Sequence, residues 1–172
     1  MITKKEFHWF WAWDDEKEEA YLREMALGGW HFKSVTIPGN YKFEKGEPRD
    51  DYYRLDFLTD NKDKDNYLQL FEDAGWSHVG EFSSWQYFRK TAVEGETLEI
   101  YTDNESKQKK YSRILLFLII FFPIYSIMLN DLHDAEGRFY EIMTFVFFLF
   151  MLLYAYAMMK LIHRISQLKK KL

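Results

Sequence analysis

The side chains able to do chemistry are scattered along this chain rather than gathered. The five histidines are His8, His31, His78, His133 and His163, and no two of them stand at a metal-ligand spacing. A lone histidine on a strand is more often packed or solvated than ligating. Acidic residues are plentiful, but the runs 14–19 and 63–65 fall where helices begin, and capping and the helix dipole account for them. There is no Gly-rich phosphate loop and no Gly-x-Ser-x-Gly elbow, because the glycines mark turns and helix ends. Cysteine is absent, which removes disulfides, Cys-ligated zinc and thiol nucleophiles. The expectation is no catalytic residue, no metal and no cofactor, and nothing in the sequence argues positively for an enzyme.

What remains is the chemistry of recognition. Over residues 8–13, Trp9, Trp11 and Trp13 alternate with His8, Phe10 and Ala12, so both faces of a strand there would be apolar or aromatic. Tyr52 and Tyr53 repeat the situation further on. One account is a central strand buried under an extra layer or a dimer interface. The other is an aromatic platform or groove for a ligand or partner. On the second account His8, Phe10, Trp11 and Trp13, with Tyr52 and Arg54, line a recognition surface. Aromatics supply area at low entropy cost, and Arg54 supplies a planar charged handle.

An internal repeat positions these residues. Tyr21-Leu22 followed by Gly29-Trp30 recurs as Tyr67-Leu68 followed by Gly75-Trp76, an offset of 46. Phe7, Trp9 and Trp11 match Tyr53, Leu55 and Phe57 at that offset, while Phe43 and Lys45 match Phe88 and Lys90 at 45, a shift one turn can absorb. Each copy reads as an alternating strand, a helix ending in Gly, a strand opened by Trp, and a hairpin return. The first copy predicts strand 5–12, a cap at Asp14 or Asp15, a helix to Gly28-Gly29, strand 30–36, a turn at 38–40 and strand 41–45. The second predicts strand 52–58, a cap at Asp60-Asn61, helix 63–73, and strands 76–82 and 85–90. Both Gly-Trp pairs are read as helix ends, with glycine in the left-handed conformation and the apolar residue packing back. The fold class is α+β: a tandem βαββ duplication of ferredoxin-like sandwich type, two helices on one face of a mostly antiparallel sheet. Residues 98–102 are expected to add an edge strand. An all-α pair of transmembrane helices is expected to follow.

That last expectation rests on segregation. Residues 1–104 carry a charge balance of −9 and residues 105–172 one of +5. An acidic domain argues against nucleic acid, which needs a basic face. The runs 114–129 and 142–159 hold no charge. With two flanking residues the first has about 18 residues, roughly 27 Å of helix and close to the hydrocarbon thickness. Lys107, Lys109, Lys110 and Arg113 precede the first run. Lys160, Arg164, Lys169, Lys170 and Lys171 follow the second, whereas the loop 130–141 has Arg138 alone. The positive-inside rule then puts both termini in the cytoplasm and the loop outside. No ionisable residue interrupts either run, so an ion path is not expected. Pro123 is placed to kink the first helix. The N-terminus has no apolar stretch of signal-peptide length. Domain bounds are then 1–104, a linker 105–111, and 112–172 with spans near 112–129 and 142–160 and a basic tail.

The blocks Glu19-Ala20-Tyr21-Leu22 through Met25-Ala26 and Gly29-Trp30, Tyr67-Leu68 through Ala74-Gly75-Trp76, residues 85–90 and residues 99–103 resemble a bacterial membrane-protein family, the domain-of-unknown-function family numbered 2812. The resemblance covers roughly residues 5–105. It implies no activity and no catalytic residues. It does imply loci that often include a PadR-like repressor, hence a regulatory or envelope-stress setting. The functional expectation is a membrane-anchored cytosolic sensory or protein-interaction module at the inner membrane. Its partners would be the lipid bilayer and another membrane or cytosolic protein, or a second copy of itself. The alternative is a small-ligand-binding domain or enzyme using an aromatic groove where the repeats meet.

Overall fold

The computed structural model describes residues 2–60, 62–93, 95, 98–101, 104–132 and 138–170. It comprises two units, Met1–Thr102 and Asp103–Leu172. The first unit runs β1 (Thr3–Phe7), α1 (Asp15–Leu27), β2 (Trp30–Thr36), β3 (Asn40–Lys45), β4 (Asp51–Phe57), α2 (Lys64–Asp73), β5 (Ser77–Phe82) and β6 (Trp85–Thr91). This is βαββ twice. The duplication extends to details. A register irregularity falls between Phe32 and Ser34 in the first copy and between His78 and Gly80 in the second, 46 residues on. The one-residue shift lies in the hairpin turn, which is 37–39 in the first copy and 83–84 in the second. Both helices end alike. Gly29 and Gly75 have φ of 74° and 80°, and Lys45 and Lys90 donate to the carbonyls of Gly28 and Ala74 at 3.0 and 3.1 Å. A lysine at a helix C-terminus satisfies an orphan carbonyl and complements the dipole.

The expected single sheet is instead two antiparallel sheets, ordered β1-β3-β2 and β4-β6-β5. Each copy closes its own three strands, and the β1 and β4 edges are guarded. On β1, Lys4 and Glu6 face inward and pair at 2.5 Å, and inward charges discourage strand addition. On β4, the Leu55 N–H is taken by the Glu19 carboxylate of α1 at 2.8 Å. The sheets share one core. Leu22 and Ala26 of α1 pack with Phe32, Val35, Tyr41 and Phe43 of the first sheet and Tyr53, Leu55 and Tyr87 of the second. Fully burying such side chains stabilises by about 1.5–3 kcal/mol each. The helices do not share a face. α1 lies in this common core, along β4 and β2. Phe71 of α2 stacks on Phe88 at 4.0 Å, on the face opposite Tyr87, since neighbouring strand residues point opposite ways.

Residues 98–101 form no strand. They cross β4 through side chains, Glu99 to Arg54 at 2.9 Å and the Tyr101 hydroxyl to Asp56.

The second unit is α3 (Asn104–Leu132) and α4 (Arg138–Lys169). The linker expected over 105–111 is helical. Its Glu, Lys and Gln residues are good helix formers, and Glu105 pairs with Lys109 one turn on at 2.8 Å. The two helices pack on each other, with Tyr111, Ile114, Ala157 and Leu161 buried and the Tyr154 hydroxyl on the Leu118 carbonyl. Among the described residues one helix, Glu141–Lys169, is long and apolar enough to cross a membrane, with a mean hydropathy of 2.2. Residues 133–137 of the expected outer loop, with His133, and Lys171 of the tail lie outside the described residues. So do the side chains of 121–126, Pro123 included.

Candidate ligand pocket

A strand can run only as far as its neighbour. Phe7 faces Asn40, the first residue of β3, and the next N–H, of His8, donates to the Gly39 carbonyl at 3.0 Å. β3 begins at Asn40 and offers no strand residue beyond that point. Residues 8–13 therefore leave the sheet, and the Asp14 N–H turns the chain into α1 by bonding the Trp11 carbonyl at 2.8 Å. The strand expected over 5–12 is thus Thr3–Phe7. The aromatic alternation that suggested it belongs to a loop, where rings pack on rings. Trp11 and Trp13 stack with centroids 5.3 Å apart, Trp9 meets Trp11 edge-on at 5.4 Å, and His8 stacks on Phe10 at 5.1 Å. The loop presses on the β2–β3 turn so closely that a Cβ on Gly39 would lie 2.3 Å from the His8 carbonyl oxygen.

Between this loop and the two hairpin turns lies a pocket of about 420 Å³. Its walls are His8, Trp9, Phe10, Trp11 and Ala12, then 37–39 from the first turn, and Phe82, Ser83 and Trp85 from the second. Asp15 and Glu18 from the first turns of α1, with Val35, Tyr41 and Tyr87 from β2, β3 and β6, complete it. Trp9 and Trp11 remain 52% and 38% exposed, while Glu18 is 8% exposed. The hydroxyls of Tyr41 and Tyr87, one from each sheet, both donate to Glu18 Oε1 at 2.7 Å. Oε2 accepts no hydrogen bond among the described residues. Burial pushes the Glu18 carboxyl above the usual glutamate range; the two hydroxyl bonds oppose this, and the neighbouring Asp15 adds to it. Burial, with Glu18 beside them, raises both phenols far above their ordinary value, so they stay protonated donors. Apolar walls with a few convergent polar groups are the usual make-up of a small-molecule site.

Of the six residues singled out from sequence, His8, Phe10 and Trp11 line this pocket, and Trp13 stacks behind Trp11. Tyr52 and Arg54 are not among its lining residues. The Arg23 guanidinium lies 3.9 Å over the Tyr52 ring. Arg54 spans Glu19 at 3.3 Å and Glu99 at 2.9 Å and also bonds the Tyr53 carbonyl. Its fork is thus engaged in tying β4 to α1 and to residue 99. The sequence does not single out Asp15, Glu18, Tyr41 or Tyr87: capping accounts for the two acids in the run 14–19, and nothing local marks the two tyrosines. A signal was present. Stepping back from Leu22 and Ala26 by helical spacing lands on Glu18, Glu19 and Asp15, so the buried stripe of α1 continues through carboxylates.

The family model described as Protein of unknown function (DUF2812) matches residues 14–123, well over half of the chain. The chain belongs to this family. Neither the curated proteins nor the solved structures contain a match to it. The segment matched to DUF2812 opens at the N-cap of α1 and ends within α3. In this DUF2812 member it therefore includes the pocket floor, Glu18, Tyr41 and Tyr87, and the second turn with Trp85. The aromatic loop 8–12 precedes it.

Proposed function

We propose that the first unit is a ligand-binding sensory module, taking a small molecule between its two repeats, and that α3 and α4 hold it at the inner face of a membrane. The observation that carries the reading is the pocket, of about 420 Å³, with aromatic walls and a floor where α1 and both sheets converge on one carboxyl group. The anchor is read as two spans with both termini cytoplasmic. Two charge-free runs and their basic flanks support it, as does the apolarity of Glu141–Lys169. Tethering confines the module to a thin layer and raises its effective concentration for a partner there. On this reading the partners are the bilayer and a membrane or cytosolic protein that reads the ligand state. No catalytic residue is proposed.

Native mass spectrometry of the full chain, released gently from its own host's membranes, tests the pocket. A reproducible added mass of small-molecule size, lost in Trp85→Ala, is expected. The bare chain alone, with no hit from a fragment screen read by tryptophan fluorescence, would overturn the reading. Reporter fusions at Lys110 and at the C-terminus should both read cytoplasmic; an external signal at either would reverse the orientation.

A further inference from the structure

The charge of the pocket is one-sided. Two carboxylic acids line it, Asp15 and Glu18, and no lysine or arginine does among the described residues. Glu18 is nearly enclosed, both tyrosine donors go to Oε1, and Oε2 is left with no hydrogen bond among the described residues. Around these acids stand the indoles of Trp9, Trp11 and Trp85. Aromatic faces carry negative potential and attract cations, most strongly where water is excluded. An anionic guest would meet carboxylates and ring faces, both repulsive. A neutral guest would leave Glu18 in low dielectric without a counter-charge, which holds the carboxyl toward its neutral form and leaves Oε2 unbonded.

Resting on the reading that this pocket takes a small molecule, we infer that its ligand is an organic cation, an amine or quaternary ammonium on an apolar body, with its charge against Glu18 Oε2 and its body among Trp9, Trp11 and Trp85. Size agrees: about 420 Å³ holds a compact drug-sized molecule rather than a peptide or a lipid chain. Binding of a cation favours the ionised carboxyl, so affinity rises with pH as Glu18 loses its proton. The titratable groups facing Glu18 are Asp15 on its own helix, Tyr41 and Tyr87 from the sheets and His8 across the pocket. The tyrosines stay neutral throughout.

The test uses the full chain in detergent and three benzyl probes: benzyltrimethylammonium, its isosteric neutral carbon analogue neopentylbenzene, and anionic phenylacetate. Tryptophan fluorescence and calorimetry report binding. The ammonium is expected to bind at least tenfold tighter than either other probe. Glu18→Gln should lose tenfold or more of that affinity while keeping the neutral probe's. Trp9→Leu, at a half-exposed rim position, should weaken the ammonium several-fold with the thermal midpoint unchanged, which guards against misfolding of the Glu18 variant. Equal or tighter binding of the neutral probe, or an affinity for the ammonium indifferent to Glu18→Gln, overturns the cation inference and leaves the pocket reading intact. Binding of none of the three also overturns it, and the native mass measurement then decides separately whether the pocket takes any small molecule.

Discussion

α1 and α2 hold the same place in their repeats, yet α1 buries five of its residues and α2 buries none. The difference follows from what each helix meets. α1 lies in the core made by both sheets and caps the β4 edge. α2 covers only the outer face of the second sheet, and its Leu70 is 70% exposed. Equivalent positions have diverged accordingly. Glu18 of the pocket floor corresponds to Lys64, which pairs with Glu81 at the surface. His8 of the pocket wall corresponds to Arg54, which ties β4 to α1. Duplication thus supplied one scaffold twice, while the pocket between the copies draws on different residues from each. The residues that differ between copies sort into those that hold the halves together and those that line the space between them.

The sharpest break of this comparison is Arg54→Ala beside His8→Ala. Removing one partner of an ion pair costs up to about 3–5 kcal/mol where the pair is fully buried; Arg54 is part-buried, leaves Glu19 behind it and also ties Glu99. His8, exposed and held by ring stacking, should cost about 1 kcal/mol or less. Urea unfolding of the two variants measures this, and equal losses would show that the positions are not differently used.

Leu22→Ala against Leu68→Ala comes next. Leu22 is fully buried and should lose about 2–5 kcal/mol, whereas Leu68, half-buried on α2, should lose less than half as much. A larger loss at Leu68 would mean that α2 is the helix the fold leans on.

The helix ends separate more finely. A Cβ at Gly29 would meet the Gly46 carbonyl at 2.7 Å, which is backbone, while at Gly75 it meets only the flexible end of Lys90 at 3.2 Å. Both alanine variants bear the left-handed penalty of about 1–2 kcal/mol. Gly29→Ala should add roughly 1–3 kcal/mol from overpacking, visible as a lower thermal midpoint.

The smallest effect is a pH dependence of opposite sign in the two copies. Folding raises the Glu18 carboxyl, so its stabilising contribution is present below the ordinary glutamate range and is lost as pH rises through the raised value. Lys64 lowers Glu81, whose contribution is present above that range and lost as pH falls; exposure makes it small. The thermal midpoint of Glu18→Gln relative to the unaltered chain should therefore climb from pH 4 to 8, while that of Lys64→Ala should decline over the same range. A flat difference for Glu18→Gln would place its carboxyl in water.

Much of this was legible in the residues. The Gly-Trp blocks gave the duplication, and the bounds of β2 to β6 and of both helices follow from apolar alternation and from glycines at helix ends. Partner availability was not legible. Aromatic residues at 8–13 favour a strand, but β3 is too short to pair them. Residues 98–101 alternate like a strand and are used as side-chain ties instead. Lys4, Glu6 and Glu19 guard the β1 and β4 edges, and edge character is a property of neighbours rather than of a segment. Glu18 was hidden because an acid at a helix start has a sufficient local explanation, and only the position of the second sheet gives it another.

The two hairpin turns that wall the pocket differ in length by one residue, and the strands behind them keep their register. Insertion or loss of a residue at 37–39 or 83–84 is therefore absorbed at the mouth, away from Phe43, Leu55 and the shared core. Such a mouth can be lengthened, shortened or recut by single mutational events without refolding the protein. Descendants of one duplicated ancestor can then part company in the shape of this mouth while their interiors stay alike.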